Sequence, residues 1–409
     1  MTLADHSLRF ERWIARRLLE RCAVPGLDLV LWDGTRISRG AAPPRGRLVL
    51  RERAALYQLA LDPDVGFGDG FAEGRIEVEG DLVRVLEAAY DGAWRRGPLE
   101  RAAAALWRRG GSNTLRGSRR NIHRHYDLGN DFFELWLDRE MVYTCAYFPT
   151  PTASLEQAQR AKLELVAGKI WAKPGDRILE LGCGWGSLAL HLARQHGAHV
   201  TAYNISAEQI RYARGRARRE GLEDRVRFVE DDYRNASGRY DAVVSVGMLE
   251  HVGARHHRDL GAAIARCLRE SGRGLVHSIG RVQAQPMDAW IERRIFPGSY
   301  APTLGEMVGL LAPFDLAVLD VENLRLHYAR TLEHWLERYE KSIDRLRARF
   351  GEAFVRSWRL YLAGSIAAFR CGSLQLWQLV FAPARSRAIP WTRPSPARDA
   401  APPWNAATS

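Results

Sequence analysis

The chain reads as an α/β protein: a doubly wound, mostly parallel sheet with helical additions, preceded by a small α+β unit. Three observations predict this. Strand-like and helical runs alternate from Asp176 onward, a glycine-rich turn joins the first of those strands to its helix, and a Gly/Ser/Arg stretch without periodicity precedes them. At 409 residues the chain exceeds the ~100–150 of a typical domain. The expected organisation is an N-terminal domain over 1–107, a linker over 108–120, a second domain over 121–384 and a disordered Pro/Ala-rich tail over 385–409.

The N-terminal unit is built from short elements. "LDLVLWDGTRI" places an Asp33-Gly34 turn between strand-like runs, "GRLVLR" is a further strand, and "DLVRVLEAAYDGAW" has helical periodicity. No catalytic constellation stands there, and the unit is expected to contact lipid. After the linker, "DRILELGCGWGSLALHLARQHG", "AHVTAYNISAEQIRYARGRAR", "RVRFVEDD", "YDAVVSVGMLEHVG" and "GRGLVHSIG" supply the parallel sheet. Its ligands are expected at the carboxyl ends of the strands. From about Thr331 an amphipathic helix aligns Leu332, Trp335, Leu336, Tyr339, Ile343, Leu346 and Phe350 on a stripe read as core packing, and "LQLWQLVFAP" is the last strand.

The net charge is +12, nearly all of it arginine, because lysine stands only at Lys162, Lys169, Lys173 and Lys341. Such a surface favours polyanions, whether nucleic acid or membrane phosphates, and charge alone does not choose. The five cysteines form no CxxC pair, which argues against a disulfide framework or structural zinc and suits a reducing cytoplasm. The amino terminus lacks a signal peptide's apolar region, and no run approaches the ~18 apolar residues of a membrane span, so membrane contact is expected to be peripheral.

"LELGCGWG" sets Gly182, Gly184 and Gly186 between strand and helix, where the backbone can turn tightly and let a ligand approach. The spacing is G-x-G-x-G rather than the dinucleotide G-x-G-x-x-G, and the position about twenty residues on is Asn204 instead of an acid. The acid precedes the loop as Glu180, placed to hold a ligand ammonium, which suits S-adenosylmethionine better than a nicotinamide. Gln209 has two readings, as a ribose contact and as the last member of a Ser206-Ala-Glu-Gln209 capping box.

At these residues the chain resembles the cyclopropane-fatty-acyl-phospholipid synthase family, which includes the mycolic acid cyclopropane synthases, over nearly its full length. The matching segments are "HYDLGNDFFELWLD", "YTCAYF", "LELGCGWG", "NISAEQ", "VSVGMLEHVG", "LVHSIG" and "LQLWQLVF". The resemblance implies a Rossmann-like class I methyltransferase domain that transfers a methylene from S-adenosylmethionine to the cis double bond of a phospholipid acyl chain. It implies a bound bicarbonate as base, held by Cys145 through its backbone, by Glu250, His277 and Tyr328, and by the backbone of Ile279. For S-adenosylmethionine it carries over Tyr143, Thr144, Glu180, the loop Gly182-Cys183-Gly184 with Gly186, Asn204 and Gln209, and Asp232 with Tyr233. A homodimer on the inner membrane face is the implied assembly.

Blander readings stand beside these. Glu250 could be a strand-end carboxylate capping the next loop, and Asp232-Tyr233 an ordinary polar turn. His256 and His257 lack the i, i+4 spacing of a zinc motif, so they read as a solvated helix start and no metal site is expected. His251 is placed near the cofactor or behind the catalytic groups. Many relatives carry a cysteine where this chain has Ser365, so a thiol nucleophile there is excluded, and Cys371 does not replace it. The alternative within the same chemistry is methyl branching of the same lipids. A nucleic-acid methyltransferase is disfavoured because "VGMLEHVG" stands where an Asp/Asn-Pro-Pro-aromatic segment would hold a base, and a lipid-binding module without turnover because the ligand set is intact.

Overall fold

The Asp33-Gly34 pair closes a hairpin between β1 (Leu27–Val30) and β2 (Arg36–Ile37). Gly34 takes φ +83°, and the Asp33 carboxylate accepts the Thr35 N–H at 2.9 Å. In this computed structural model the described residues are 3–21, 27–38, 46–91 and 128–391, so the expected linker, "HYD" of the first family segment and residues 392–409 fall outside them. Next, β3 (Gly46–Leu50) lies parallel to β1, and β4 (Ile76–Gly80) antiparallel to β3, in a sheet ordered β2-β1-β3-β4. Leu29, Leu31, Leu50, Leu56 and Ile76 fill its core. Two later segments, Gln285–Pro297 and Leu332–Ser373, belong to this same compact unit. The Trp290 indole donates to Asp69 at 3.1 Å, and the Arg356 guanidinium to the Phe71 carbonyl at 2.5 Å.

The second unit holds a seven-stranded sheet ordered β10-β11-β9-β8-β5-β6-β7. Its strands are β5 (Arg177–Leu181), β6 (His199–Asn204), β7 (Val226–Glu230), β8 (Tyr240–Val246), β9 (Leu268–Gly280), β10 (Leu316–Asn323) and β11 (Gln375–Pro383). The first five of these run parallel, and β11 is antiparallel to both neighbours. Alternation along β5 sends Ile178 to one apolar layer and Leu179 and Leu181 to the other. Both faces are covered, as the parallel pattern requires. The chain leaves β5 toward β6 and β7, then returns to its other side at β8. That reversal opens a crevice at the carboxyl ends of β5 and β8.

The late helix begins earlier than its stripe suggests. It runs Arg325–Lys341, because the Asn323 side chain accepts the Arg325 N–H at 2.9 Å and starts the first turn there. After a break at Ser342 it resumes as Ile343–Phe350. Leu332, Trp335, Tyr339 and Leu346 are buried, which agrees with core packing.

Candidate active site

The glycine loop follows β5. Gly182, Gly184 and Gly186 adopt φ +86°, +52° and +85°, a region that L side chains enter only at a cost. A Cβ at Gly182 would stand 2.8 Å from the Met248 Cβ, and one at Gly186 would stand 2.6 Å from the Phe228 ring, so both are needed for packing. At Gly184 nothing lies within 4 Å, which leaves that stretch of backbone open to a ligand. Cys183 between them is buried, its N–H bonded to the Tyr203 carbonyl at 3.1 Å.

Glu180 lies beneath this loop. Burial pushes its carboxyl up to about 7, against the Lys162 ammonium and the Ala189 N–H, which favour the charged form. Its Oε2 is buried with no hydrogen-bond partner, as expected of a carboxylate that receives donors from a ligand. From β6, the Asn204 amide donates to Gln209 at 2.8 Å and to the Gly184 carbonyl at 3.3 Å, joining these two polar groups to the loop. This set fits the cationic, hydroxyl-rich S-adenosylmethionine.

The capping box is only half formed. Ser206 accepts the Gln209 N–H at 3.4 Å, but the Gln209 Oε1 is taken by Asn204 and makes no return bond to Ser206. Asp232 accepts from the Arg234 guanidinium at 2.7 and 2.8 Å and caps the turn that follows β7, the arrangement of an ordinary polar turn. The hydroxyl of the buried Tyr233 has no partner.

The segment Tyr143–Phe148 is fastened between distant elements. Tyr143 packs with Phe133 and Trp136 at ring separations of 5.5 and 5.3 Å. Thr144 accepts the Lys162 ammonium on its hydroxyl at 3.0 Å and the Gln159 amide on its carbonyl at 2.9 Å. Its methyl lies 2.5 Å from where a Gly247 Cβ would be. The Ala146 and Phe148 N–H groups donate to Thr331 Oγ1 and His327 Nδ1, each at 3.0 Å. The helix bearing Tyr328, itself buried, is thereby held against Cys145. The Cys145 thiol bonds to the carbonyls of Ala146 (3.1 Å) and Leu324 (3.8 Å), and burial raises its pKa, so it stays protonated.

Glu250 lies on the short helix Leu249–Val252 that follows β8, and His277 near the carboxyl end of the neighbouring β9. Glu250 Oε1 accepts the Ile279 N–H at 2.7 Å, while Oε2 is buried without a partner. Burial raises this carboxyl to about 7, opposed only by neutral donors: the Ile279 amide, its own amide and the Ser278 hydroxyl. His277 is fully enclosed, and burial followed by the Lys162 and Lys169 charges holds its pKa well below the usual histidine range.

Two residues that the sequence reading did not assign set the state of that ring. Lys169 Nζ can only donate, so the Gln378 atom facing it at 2.6 Å is the carbonyl oxygen. The Gln378 NH₂ then faces His277 Nδ1 at 3.0 Å and donates to it. The ring proton is therefore confined to Nε2, which is buried and unpartnered. Lys169 also pairs with Glu322. Two signals for these residues were present in the sequence: Lys162 and Lys169 are two of only four lysines, and Gln378 interrupts an apolar strand.

Of the remaining histidines, His251 is pushed down to about 4 by burial. His256 pairs with Asp259 at 2.7 Å. His257 is not solvated as expected. It starts the helix His257–Cys267 on its inner side, buried with its ring 6.0 Å from that of Tyr300. Ser365 and Cys371 belong to the first compact unit.

A family model described as mycolic acid cyclopropane synthetase matches residues 113–379, and one described as a domain of unknown function matches 14–94. A "Probable fatty acid methyltransferase" of Pseudomonas putida is 36% identical over 384 residues, 90% of this chain and 95% of its own. The cyclopropane-fatty-acyl-phospholipid synthase of Escherichia coli strain K12 is 38% identical over 258 residues, 63% of this chain and 66% of its own. Among solved structures, the mycolic acid cyclopropane synthase CmaA1 complexed with SAH and CTAB superposes with TM-score 0.62 at 27% identity, over 64% of this chain and 97% of that one.

Proposed function

Since the chain belongs to the mycolic acid cyclopropane synthetase family and is an S-adenosylmethionine-dependent lipid methyltransferase, we propose that it is a cyclopropane-fatty-acyl-phospholipid synthase. It moves a methylene from S-adenosylmethionine to the cis double bond of an unsaturated phospholipid acyl chain, with bicarbonate as base. The observation that carries this reading is a pair of buried, partnerless atoms, Glu250 Oε2 and His277 Nε2, on groups whose protonation suits an anion.

S-adenosylmethionine supplies a sulfonium methyl electrophilic enough for an alkene, and bicarbonate supplies an oxygen base for the proton that ring closure releases. Glu180 would receive the cofactor's ammonium, and Asn204 and Gln209 would meet its hydroxyls. His277 is neutral with its proton on Nε2, so it donates a hydrogen bond and does not act as the base. Glu250 titrates near 7 without a neighbouring cation, so a hydrogen rather than a repulsion can stand between it and a bound anion. The Tyr328 hydroxyl is the further donor, and Cys145 contributes its backbone. The packed rings of Phe132, Phe133, Trp136 and Tyr143, which adjoin Thr144 along the chain, would supply an apolar wall that limits water around the cation.

Access to lipid is peripheral in this reading, at the inner membrane face and in a homodimer. No helix among the described residues is long and apolar enough to cross a membrane. The arginines of Arg108–Arg124, expected to meet anionic headgroups, lie outside the described residues. Methyl branching is the second reading, favoured by the match to a named fatty acid methyltransferase over 90% of the chain. There a 1,2-hydride shift moves the cation onto the methylated carbon, the transferred methyl loses a proton, and an exomethylene group remains, to be reduced later by a separate hydride donor. Mass spectrometry and proton NMR of lipids from a host expressing the wild type or Glu250→Gln separate the two. One added CH₂ with loss of the alkene signal, absent in the variant, supports the ring. A retained exomethylene signal supports the branch.

A further inference from the structure

Away from the catalytic groups, in the same unit, three metal-ligating side chains converge on two neighbouring helices. Glu164 comes from the helix Leu155–Lys169, and His191 and His196 from the helix Ser187–His196. The two carboxylate oxygens of Glu164 stand 2.9 Å from His191 Nε2 and 3.1 Å from His196 Nε2. The imidazole centroids are 5.7 Å apart, and one ligand atom from each of the three residues falls within a 4.8 Å span.

A second observation separates this cluster from an ordinary His–Glu pair. His191 is only 6% exposed, and its Nε2 makes no hydrogen bond although the carboxylate oxygen is 2.9 Å away. The oxygen is near but off the axis of the ring nitrogen. A buried ring nitrogen whose nearest oxygen is poorly aligned is left under-satisfied, and a ligand on Nε2 would complete it. The adjacent Arg194 is directed elsewhere, to Glu220 at 3.2 Å. On the outer side, the side chains of Glu164 and His196 are 52% and 23% exposed, so water can reach one face of the cluster.

We propose that Glu164, His191 and His196 form a binding site for a divalent transition metal of the zinc class, with a fourth position left to water. Two imidazoles and a carboxylate select zinc or its neighbours over magnesium or calcium, which prefer all-oxygen shells. Tetrahedral bonds of about 2.1 Å put neighbouring donors about 3.4 Å apart, within the span observed. The helix bearing both histidines starts directly after Gly186, and the other carries Lys162. A bound ion would therefore clip together two helices that support the cofactor loop. Neither S-adenosylmethionine nor bicarbonate takes part, so this site stands or falls apart from the proposed reaction.

The test uses the full-length chain, tag removed and stripped with a chelator, titrated with Co²⁺ and followed by its visible absorption, then with Zn²⁺ in competition with a chromophoric chelator. The expected result is one ion per chain with the intense bands of tetrahedral Co²⁺. Glu164→Gln, at an exposed position, and His196→Asn, at a half-buried helix end, each weaken binding at least about tenfold, or 1.4 kcal/mol. His191→Asn removes the bands. Absence of stoichiometric binding, or affinities in Glu164→Gln and His196→Asn equal to the wild type, overturns the proposal.

Discussion

Glu180 lies near the end of β5 and Glu250 just beyond the neighbouring β8; each is buried to within a few per cent, each is raised by burial to about 7, and each keeps one oxygen without a partner. Their surroundings differ in sign. Glu180 shares its enclosure with the Lys162 ammonium, which favours the ionised carboxylate. Glu250 is met only by amide and hydroxyl donors, and the nearby ring of His277 is neutral. An equal shift thus prepares two opposite tasks. Near neutral pH each is poised between its two forms, so a cationic ligand would hold the first ionised and an anion would hold the second protonated.

The strongest way to break this comparison is to neutralise each carboxylate in turn. Glu250→Gln should lower turnover by roughly 10²–10³-fold, the scale of losing one preorganised polar group at the reacting centre, while calorimetry finds S-adenosylmethionine affinity nearly unchanged. Glu180→Gln should do the converse, weakening S-adenosylmethionine by roughly 10–100-fold through loss of a charge-assisted hydrogen bond. Two variants with the same profile would dissolve the distinction.

A smaller effect sharpens the part played by His277. Gln378→Leu removes the hydrogen bond to Nδ1, and Lys169→Met frees the Gln378 amide to turn over. Either should cost turnover about tenfold, the worth of one hydrogen bond in this setting. Nitrogen NMR of the ring should then change from a single Nε2-protonated tautomer to a mixture. A wild-type ring already protonated on Nδ1 would remove the argument that His277 is a donor.

The smallest effect is on stability against pH. Glu250 titrates near 7 in the folded chain against an ordinary value of about 4.3. Between those values the folded state binds more protons than the unfolded state, so stability falls as pH rises through the window and levels above it. Glu250→Gln should flatten this fall in the ligand-free protein and be the more stable form at pH 8, by an amount on the order of 2–3 kcal/mol. Denaturant titrations at pH 5 and pH 8 measure it, and parallel slopes for the two proteins would contradict the assignment.

Much of this could be read from the residues alone, where the information is local. The five parallel strands and the glycine turn follow from period-2 runs, β-branched residues and Gly182-Gly184-Gly186, all short-range signals. The resemblance picked out Glu250, His277, Cys145 and Tyr328. It did not reveal that the Phe148 and Ala146 amides fasten the first turns of the Tyr328 helix, because those pairs are about 180 positions apart in sequence. The same limit hid Gln378 behind His277, a contact across β9 and β11 that depends on antiparallel register. It also hid the burial of His257, since a helix start looks polar until its inner side is known. The Glu164–His191–His196 cluster escaped because its third member lies on another helix and its two histidines are not at i, i+4.

The central claim, that a bound bicarbonate takes the proton, is tested most directly by turnover on unsaturated phospholipid vesicles in buffer stripped of carbon dioxide. The account predicts a loss of roughly 100-fold, the usual worth of a general base, restored by added bicarbonate in the wild type but not in Glu250→Gln. Full activity after rigorous exclusion of carbon dioxide would contradict it.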